Sequence, residues 1–329
     1  MKIILDAMGG DNAPKEILRG AAAAVKELGV EIIAVGDPAQ IAACAEEDGI
    51  DMTGIRVEAA SETIEMCDDP TWAIRHKKDS SMVVALRLLA AGEGDALVSA
   101  GSTGALLTGA TLIAKRLPGV KRAAIGTVIP GQKQPYLLLD SGANVECPAE
   151  MLNCFAVMGS VYMEKVMGRT APKVALVNNG AEETKGTPAY VEAHRLMKEN
   201  GAIRFIGNVE PRDVPTGEAD VVVCDGFTGN VILKLTEGLA KFFTGELKKI
   251  FKRNAATMLA ALMVKSGVQE FKAKLDADEY GGAPLLGISK VVIKAHGSSG
   301  AKAIKNAVRQ AVTCCENGMV DTIRENISR

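Results

Sequence analysis

Hydrophobic positions along this chain follow two alternating periods. Short aliphatic runs of strand length recur, and stretches with apolar residues at helical spacing follow them. Six of the runs end in a glycine-rich turn. Lys2–Leu5 leads into Asp6-Ala7-Met8-Gly9-Gly10-Asp11, and Ala96–Val98 into Ser99-Ala100-Gly101-Ser102-Thr103-Gly104. Tyr136–Leu139 leads into Asp140-Ser141-Gly142-Ala143-Asn144, and Val174–Val177 into Asn178-Asn179-Gly180-Ala181-Glu182. Val221–Val223 leads into Cys224-Asp225-Gly226-Phe227-Thr228-Gly229-Asn230, and Val291–Ile293 into Lys294-Ala295-His296-Gly297-Ser298-Ser299-Gly300. Such alternation is the signature of an α/β fold. If most of these runs are parallel strands of one sheet, their loops gather at its carboxyl edge, where open α/β sheets bind ligands. Helix N-termini then point free N–H groups into the crevice, which favours an anion.

Between these runs the pattern predicts a helix from Pro14 to Leu28, stopped by Gly29, and a strand at Glu31–Val35. A helix around Ala39–Glu47, a short strand at Arg56–Ala59 and a helix over Ser80–Ala91 follow. Thr63–Lys78 is polar and irregular, holds the only Trp, and reads as a loop over the site. No Ser/Gly linker divides the chain, so 1–329 is taken as a single domain, although two lobes sharing a sheet fit equally well.

Residues 235–276 differ from the rest. Leu235, Leu239, Phe242, Phe243, Leu247, Ile250 and Phe251 recur at helical spacing. From Lys241 to Lys274 there are eight basic residues against Glu246 and Glu270, around an uncharged centre holding Met258, Leu259, Leu262 and Met263. Gly267 predicts a turn into a second helix, giving a protruding helical hairpin. Its apolar tip suits burial in a dimer or interfacial contact with a membrane, and its bases would also receive an acidic protein.

Composition narrows the classes. A net charge of −2 and 4% aromatic residues give neither global affinity for polyanions nor stacking platforms, so no nucleic-acid partner is expected. The seven cysteines form no C-x-x-C and no zinc spacing, which predicts no metal site and a reducing cytoplasmic setting. No signal-peptide apolar region follows Met1-Lys2, and no uncharged stretch is long enough to span a bilayer. There is no G-x-x-x-x-G-K-[ST], no G-x-G-x-x-G after a strand, no G-x-S-x-G and no H-E-x-x-H, so no covalent nucleophile is expected.

Candidate chemistry therefore sits in the six loops. Asp6, Gly9, Gly10 and Asp11 allow close backbone approach to a ligand, and Ser102, Thr103 and Gly104 add hydroxyls at a helix start. Asp140 and Asn144 flank a Gly-Ala turn, Glu182, Glu183 and Lys185 crowd one short loop, and Asp225, Thr228 and Asn230 resemble an anion nest. His296 stands at a strand end beside Gly297. Helix capping accounts for most of these residues one loop at a time; their agreement in kind and placement points to a small anion.

The blocks Asp6–Asp11, Ser99-Ala100-Gly101, Thr103–Leu106, Leu139-Asp140 with Gly142-Ala143-Asn144, Val223–Asn230, Tyr280–Gly287 and Val292-Ile293-Lys294 with His296-Gly297-Ser298 resemble the bacterial phosphate acyltransferase family. The resemblance runs essentially end to end, with Ser102, Ser141 and Asn179 departing from the residues usual there. It implies a three-layer α/β/α mixed sheet similar to isocitrate and isopropylmalate dehydrogenases, homodimeric and without their cofactor. It further implies acyl transfer from acyl-carrier protein to inorganic phosphate. A peripheral membrane contact is implied as well, near a membrane glycerol-3-phosphate acyltransferase that uses the product. In that scheme the Gly9-Gly10 and Ser102–Gly104 turns hold phosphate with Lys185 and Asn230, His296 or Lys185 stabilises the oxyanion, and Asp6, Asp140 and Asp225 position them. A phosphotransacetylase-like enzyme using acyl-CoA and a non-catalytic membrane scaffold are the alternatives.

Overall fold

The computed structural model describes residues 1–274 and 277–327. Its strands are β1 (Lys2–Asp6), β2 (Glu31–Gly36), β3 (Ile55–Ala59), β4 (Ala96–Ser99), β5 (Ala124–Ile129) and β6 (Tyr136–Leu139). They continue with β7 (Lys173–Val177), β8 (Arg204–Val209), β9 (Val221–Val223), β10 (Ala283–Leu286) and β11 (Val291–Lys294). All belong to one mixed sheet in the order β3-β2-β1-β4-β11-β10-β5-β6-β9-β7-β8. The helices are α1 (Lys15–Leu28), α2 (Pro38–Asp48), α3 (Pro70–His76), α4 (Ser81–Ala91), α5 (Thr103–Gly109), α6 (Ala149–Lys165) and α7 (Pro188–Glu199). Further on come α8 (Gly226–Phe251), α9 (Ala255–Met263), α10 (Lys265–Lys274), α11 (Ala301–Glu316) and α12 (Met319–Ile327).

Period-two alternation sends successive residues of the inner strands to opposite faces, both of which are buried, so those strands are apolar almost throughout. Ile3 and Leu5 enter one buried layer with Ile17 and Ala21 of α1 and Ile304 and Val308 of α11, while Ile4 enters the other with Leu86 and Leu89 of α4. Helices thus cover both faces. The segment expected as a loop over the site contains α3, capped by Asp69, whose side chain accepts from Trp72 N–H at 2.7 Å.

Strand direction corrects the sequence reading. β1, β4 and β11 are mutually parallel, and so are β6, β9 and β7. Between the two sets lie three antiparallel pairings, β11 with β10, β10 with β5, and β5 with β6. An odd number of reversals leaves the sets running in opposite senses. The six glycine-bordered loops therefore leave the sheet in two groups of three, not at a common edge.

The 235–276 stretch also differs from expectation. It holds three helices, because α8 ends at Phe251, Asn254 opens α9 with a reciprocal cap to Thr257, and Val264 closes it. Gly267 lies inside α10 and makes no turn. Residues 275–276, the end of the expected hairpin, lie outside the described residues.

Candidate functional site

The first loop group is built on a buried carboxylate. Asp6 ends β1 with Oδ1 accepting from Ser81 Oγ at 2.6 Å and Oδ2 from Ser99 Oγ at 2.7 Å, and Ser99 Oγ in turn accepts from Gly101 N–H at 3.1 Å. One aspartate thus ties β1 to the start of α4 and to the turn after β4. Gly9 follows from this packing, since a Cβ there would stand 2.5 Å from Asp6 Oδ2 and 2.8 Å from Gly101 N. Gly10 has φ +104° and its missing Cβ would meet Gly297 O at 2.9 Å. Asp11 N–H donates to that carbonyl at 2.8 Å and Asn12 Nδ2 to Ser298 O at 3.1 Å, which joins the first loop to the loop after β11.

Beneath these turns lies Lys294, buried, with Nζ donating to Ala100 O at 3.2 Å and to Ala295 O. Burial pushes its ammonium down to about 8, against the pull of Asp6 and Asp11. Burial likewise raises Asp6 above the usual carboxylate range, opposed by its bonds from Ser81 and Ser99. Ser102 is buried and caps Ala105 N–H at 3.5 Å, Thr103 is exposed, and Gly104 packs towards Pro70 of α3. His296 is exposed; its Nδ1 accepts from Ser298 N–H at 3.2 Å and lies 2.8 Å from Ser298 Oγ, which places the ring proton on the outward Nε2.

The second group is built on Asp140. Its Oδ1 accepts from the N–H groups of Ile125, Gly142 and Ala143 at 3.0–3.1 Å, and its Oδ2 from Asn144 N–H at 2.8 Å and Asn144 Nδ2 at 2.9 Å. Asn144 Nδ2 also reaches Ala123 O at 2.8 Å, and Asn144 O accepts from Gly226 N–H at 2.6 Å. Asp140 and Asn144 are therefore inward, shaping residues. Asp225 caps α8 through Oδ1 to Thr228 N–H at 2.7 Å, while Oδ2 receives the Tyr190 hydroxyl at 2.5 Å. Burial, then that bond, raises the Tyr190 phenol far above its ordinary range.

A cavity of about 540 Å³ opens here, lined by Asn178, Asn179, Thr187, Tyr190, Asp225 and Thr228 among others. Asn178 folds the adjoining loop by donating from Nδ2 to Lys185 O at 2.9 Å. Lys185 itself is exposed and forms no salt bridge among the described residues. Glu183 is engaged elsewhere, by Lys198 at 2.7 Å, and Glu182 accepts through its carbonyl from Lys185 N–H and Asn208 Nδ2. Asn230 is exposed beside Gly142. No thiol here is poised to attack, since burial pushes Cys147 up to about 12 and Cys224 well above its ordinary value.

The structure thus brings Lys185, Asp225, Thr228 and Asn230 into one neighbourhood, and Asp6, Gly9, Gly10, Asp11, Ser102 and His296 into another. β11 and β6 are three strand spacings apart, roughly 14 Å across the sheet, and their loops leave it at opposite edges. Lys294, Ser81, Ser99 and Tyr190 were not singled out from the sequence. Lys294 ends an apolar run like any solvent-exit residue, and Tyr190 sits 35 residues from Asp225 with no local signal.

Residues 1–322 match the family model described as fatty acid synthesis protein. The chain is 50% identical over 328 residues to the phosphate acyltransferase of Alkaliphilus oremlandii, covering 100% of this chain and 98% of that one. It is 44% identical over 328 residues to the phosphate acyltransferase of Clostridium acetobutylicum, covering 99% of each. Among solved structures it resembles the EutD phosphotransacetylase from Staphylococcus aureus, with TM-score 0.62 and 18% identity over 96% of this chain and 94% of that one. A phosphotransacetylase from Streptococcus pyogenes gives TM-score 0.63 and 17% identity over 100% and 94% of the two chains. At such identities the likeness is one of fold, an α/β architecture around a mixed sheet. From the full-length match and the relatives that share it, the chain belongs to the fatty acid synthesis protein family, alongside proteins named phosphate acyltransferase.

Proposed function

We propose that this chain is an acyltransferase that moves a fatty acyl group from the thioester of acyl-carrier protein to inorganic phosphate, giving acyl-phosphate for phospholipid synthesis. The observation that carries the reading is the second-group cavity. It is lined by Gly186 and by Asp225 and Thr228 at the N-terminus of α8, holds no activated thiol, and lies next to the exposed Lys185, which forms no salt bridge among the described residues. Phosphate is itself a nucleophile and a thioester is already activated, so proximity and charge stabilisation suffice. A phosphate oxygen attacks the acyl carbon, the tetrahedral oxyanion collapses, and the C–S bond breaks to release the carrier thiol, whose ordinary value near 8.5 needs little acid help.

In this reading Lys185 and Asn230 hold phosphate and Asp225 positions the α8 N-terminus. One copy does not bring His296 or the Gly9-Gly10 turn to the same phosphate. Homodimerisation along α8 is therefore part of the proposal. Phe227, Val231, Leu235 and Leu239 leave an apolar stripe exposed that starts beside Thr228, and a second copy seated there lies at the cavity mouth. Residues 235–276 serve as an arm of the same functional unit. On it Met258, Leu259, Leu262 and Met263 are exposed, the last by 82%, which supports a peripheral membrane contact.

The test is acyl-phosphate formation from defined donors, with Lys185→Ala raising the apparent KM for phosphate at least about tenfold while leaving that for the donor unchanged. An unchanged phosphate KM removes Lys185 from the site. Exchange of label between carrier species without phosphate would instead reveal an acyl-enzyme. Preference for acyl-CoA over the carrier-bound donor would favour the phosphotransacetylase-like alternative.

A further inference from the structure

From Ala96 to Leu139 the chain carries no Asp or Glu, yet it holds Lys115, Arg116, Lys121, Arg122 and Lys133. The fold gathers the first four with Lys290 on one ledge. Ser289 N–H donates to Lys115 O at 2.9 Å, Ser289 Oγ to Ala114 O at 2.5 Å, and Leu117 N–H to Gly287 O at 2.9 Å, with Arg116 bridged antiparallel to Ile288. A turn closed by Val120 N–H on Leu117 O at 3.1 Å then brings Lys121 and Arg122 back beside it. Lys115, Arg116, Lys121 and Arg122 are exposed and Lys290 is half-buried. None of the five forms a salt bridge among the described residues. Glu150 is the acid that shares a small hollow with Lys121 and Arg122.

We infer that this ledge is a docking surface for an acidic protein face; resting on the reading above, that protein is the acyl-carrier donor. Uncompensated like charges on a fixed backbone repel one another, and a complementary partner relieves that repulsion while steering encounter. Chemistry separates the ledge from a lipid-facing surface. Leu112 is the one large apolar side chain exposed between Ala96 and Leu139, whereas α9 and α10 expose Met258, Leu259, Leu262, Met263, Val268 and Phe271. Bases beside apolar anchors suit insertion at a membrane surface, whereas bases without such anchors match an acidic protein face by charge complementarity. Placement fits as well. Arg122 immediately precedes Ala123, whose carbonyl receives Asn144 of the second loop group, so a carrier seated on the ledge presents its thioester arm beside that group.

The experiment reverses the ledge in the full chain, as Lys115→Glu, Arg116→Glu, Lys121→Glu and Arg122→Glu together, and separately neutralises it with Lys121→Gln and Arg122→Gln. Carrier-protein binding by fluorescence anisotropy, acyl-phosphate formation and flotation on vesicles rich in phosphatidylglycerol are compared. The reversed protein should bind the carrier and use its thioester at least about tenfold less well and lose most of the salt sensitivity of the wild type, with flotation unchanged. The neutral pair, which is the milder change should the fourfold variant fail to fold, should lose a smaller share in the same direction. Unchanged carrier kinetics in the neutral pair, or lost flotation with intact carrier kinetics, overturns the inference. That failure is distinguishable from failure of the reaction itself, in which the wild type forms no acyl-phosphate from any carrier-bound donor.

Discussion

Asp6 and Asp140 close β1 and β6, are both buried, and are both raised by burial, yet their surroundings differ in kind. Asp140 is satisfied by main-chain N–H groups and one amide, four of these five donors coming from the turn it begins. Asp6 is satisfied by hydroxyls from α4 and β4, with a buried lysine beyond. The first arrangement specifies the shape of one loop. The second ties separate segments together and couples two titrating groups. A carboxylate at a strand end is thus a frame in both places, and the proposed function leaves the ligand-facing chemistry to Lys185, Asn230 and His296.

The second group is most vulnerable to added bulk at the start of α8. A Cβ on Gly229 would stand 1.9 Å from Asp140 O, a backbone atom that cannot swing away. Gly229→Ala should therefore cost more than about 4 kcal/mol in denaturant unfolding or prevent folding, because α8 must leave β6. Gly238→Ala, in the same helix with open space around it, should shift stability by no more than about 1 kcal/mol, and towards greater stability. Near-native stability of Gly229→Ala would show that the second group tolerates a shift of α8. That would deprive Asp140 of its framing role.

A double-mutant cycle sharpens the other half. Asp6→Asn and Lys294→Met should couple by about 1–3 kcal/mol, since each single change leaves the other group buried without its counterpart. Asp140→Asn with Lys294→Met should be additive within about 0.5 kcal/mol, since nothing connects them. Equal coupling in both cycles would mean that the two groups communicate across the sheet.

How the two groups came to be separate was not legible from periodicity. The strands ending at Asp6, Ser99, Leu139, Val177, Val223 and Lys294 stood out because apolar runs met glycine there. Direction depends on partners, and the reversal lies in β5 and β10, which join the two halves. β10 is four residues long and holds Pro284, so its pattern is too short to read. Gly267 misled in the opposite way, because an exposed helix absorbs a glycine at roughly 1 kcal/mol, while Asn254 and Thr257 supplied the actual boundary. Within the loops, residue type was legible but partner was not. Tyr190 and Lys294 owe their roles to segments brought together by the sheet.

The buried lysine of the first group also predicts a pH dependence of stability. Lys294 loses its proton near 8 when folded and near 10.5 when unfolded. Between those values the unfolded chain binds more protons, so this residue makes stability rise with pH; its burial cost is present below about 8 and is relieved through the window. Cys147, Cys224 and Tyr190 act oppositely, because their groups ionise first in the unfolded chain. The wild-type curve alone therefore mixes both signs. Subtracting the curve of Lys294→Met isolates the lysine, and the difference should move in favour of the wild type by up to about 3 kcal/mol from pH 8 to 10.5. A flat difference would mean that Asp6 holds the ammonium charged throughout. The first group would then be a tight ion pair, and its contrast with the solitary Asp140 would be one of charge as well as of donors.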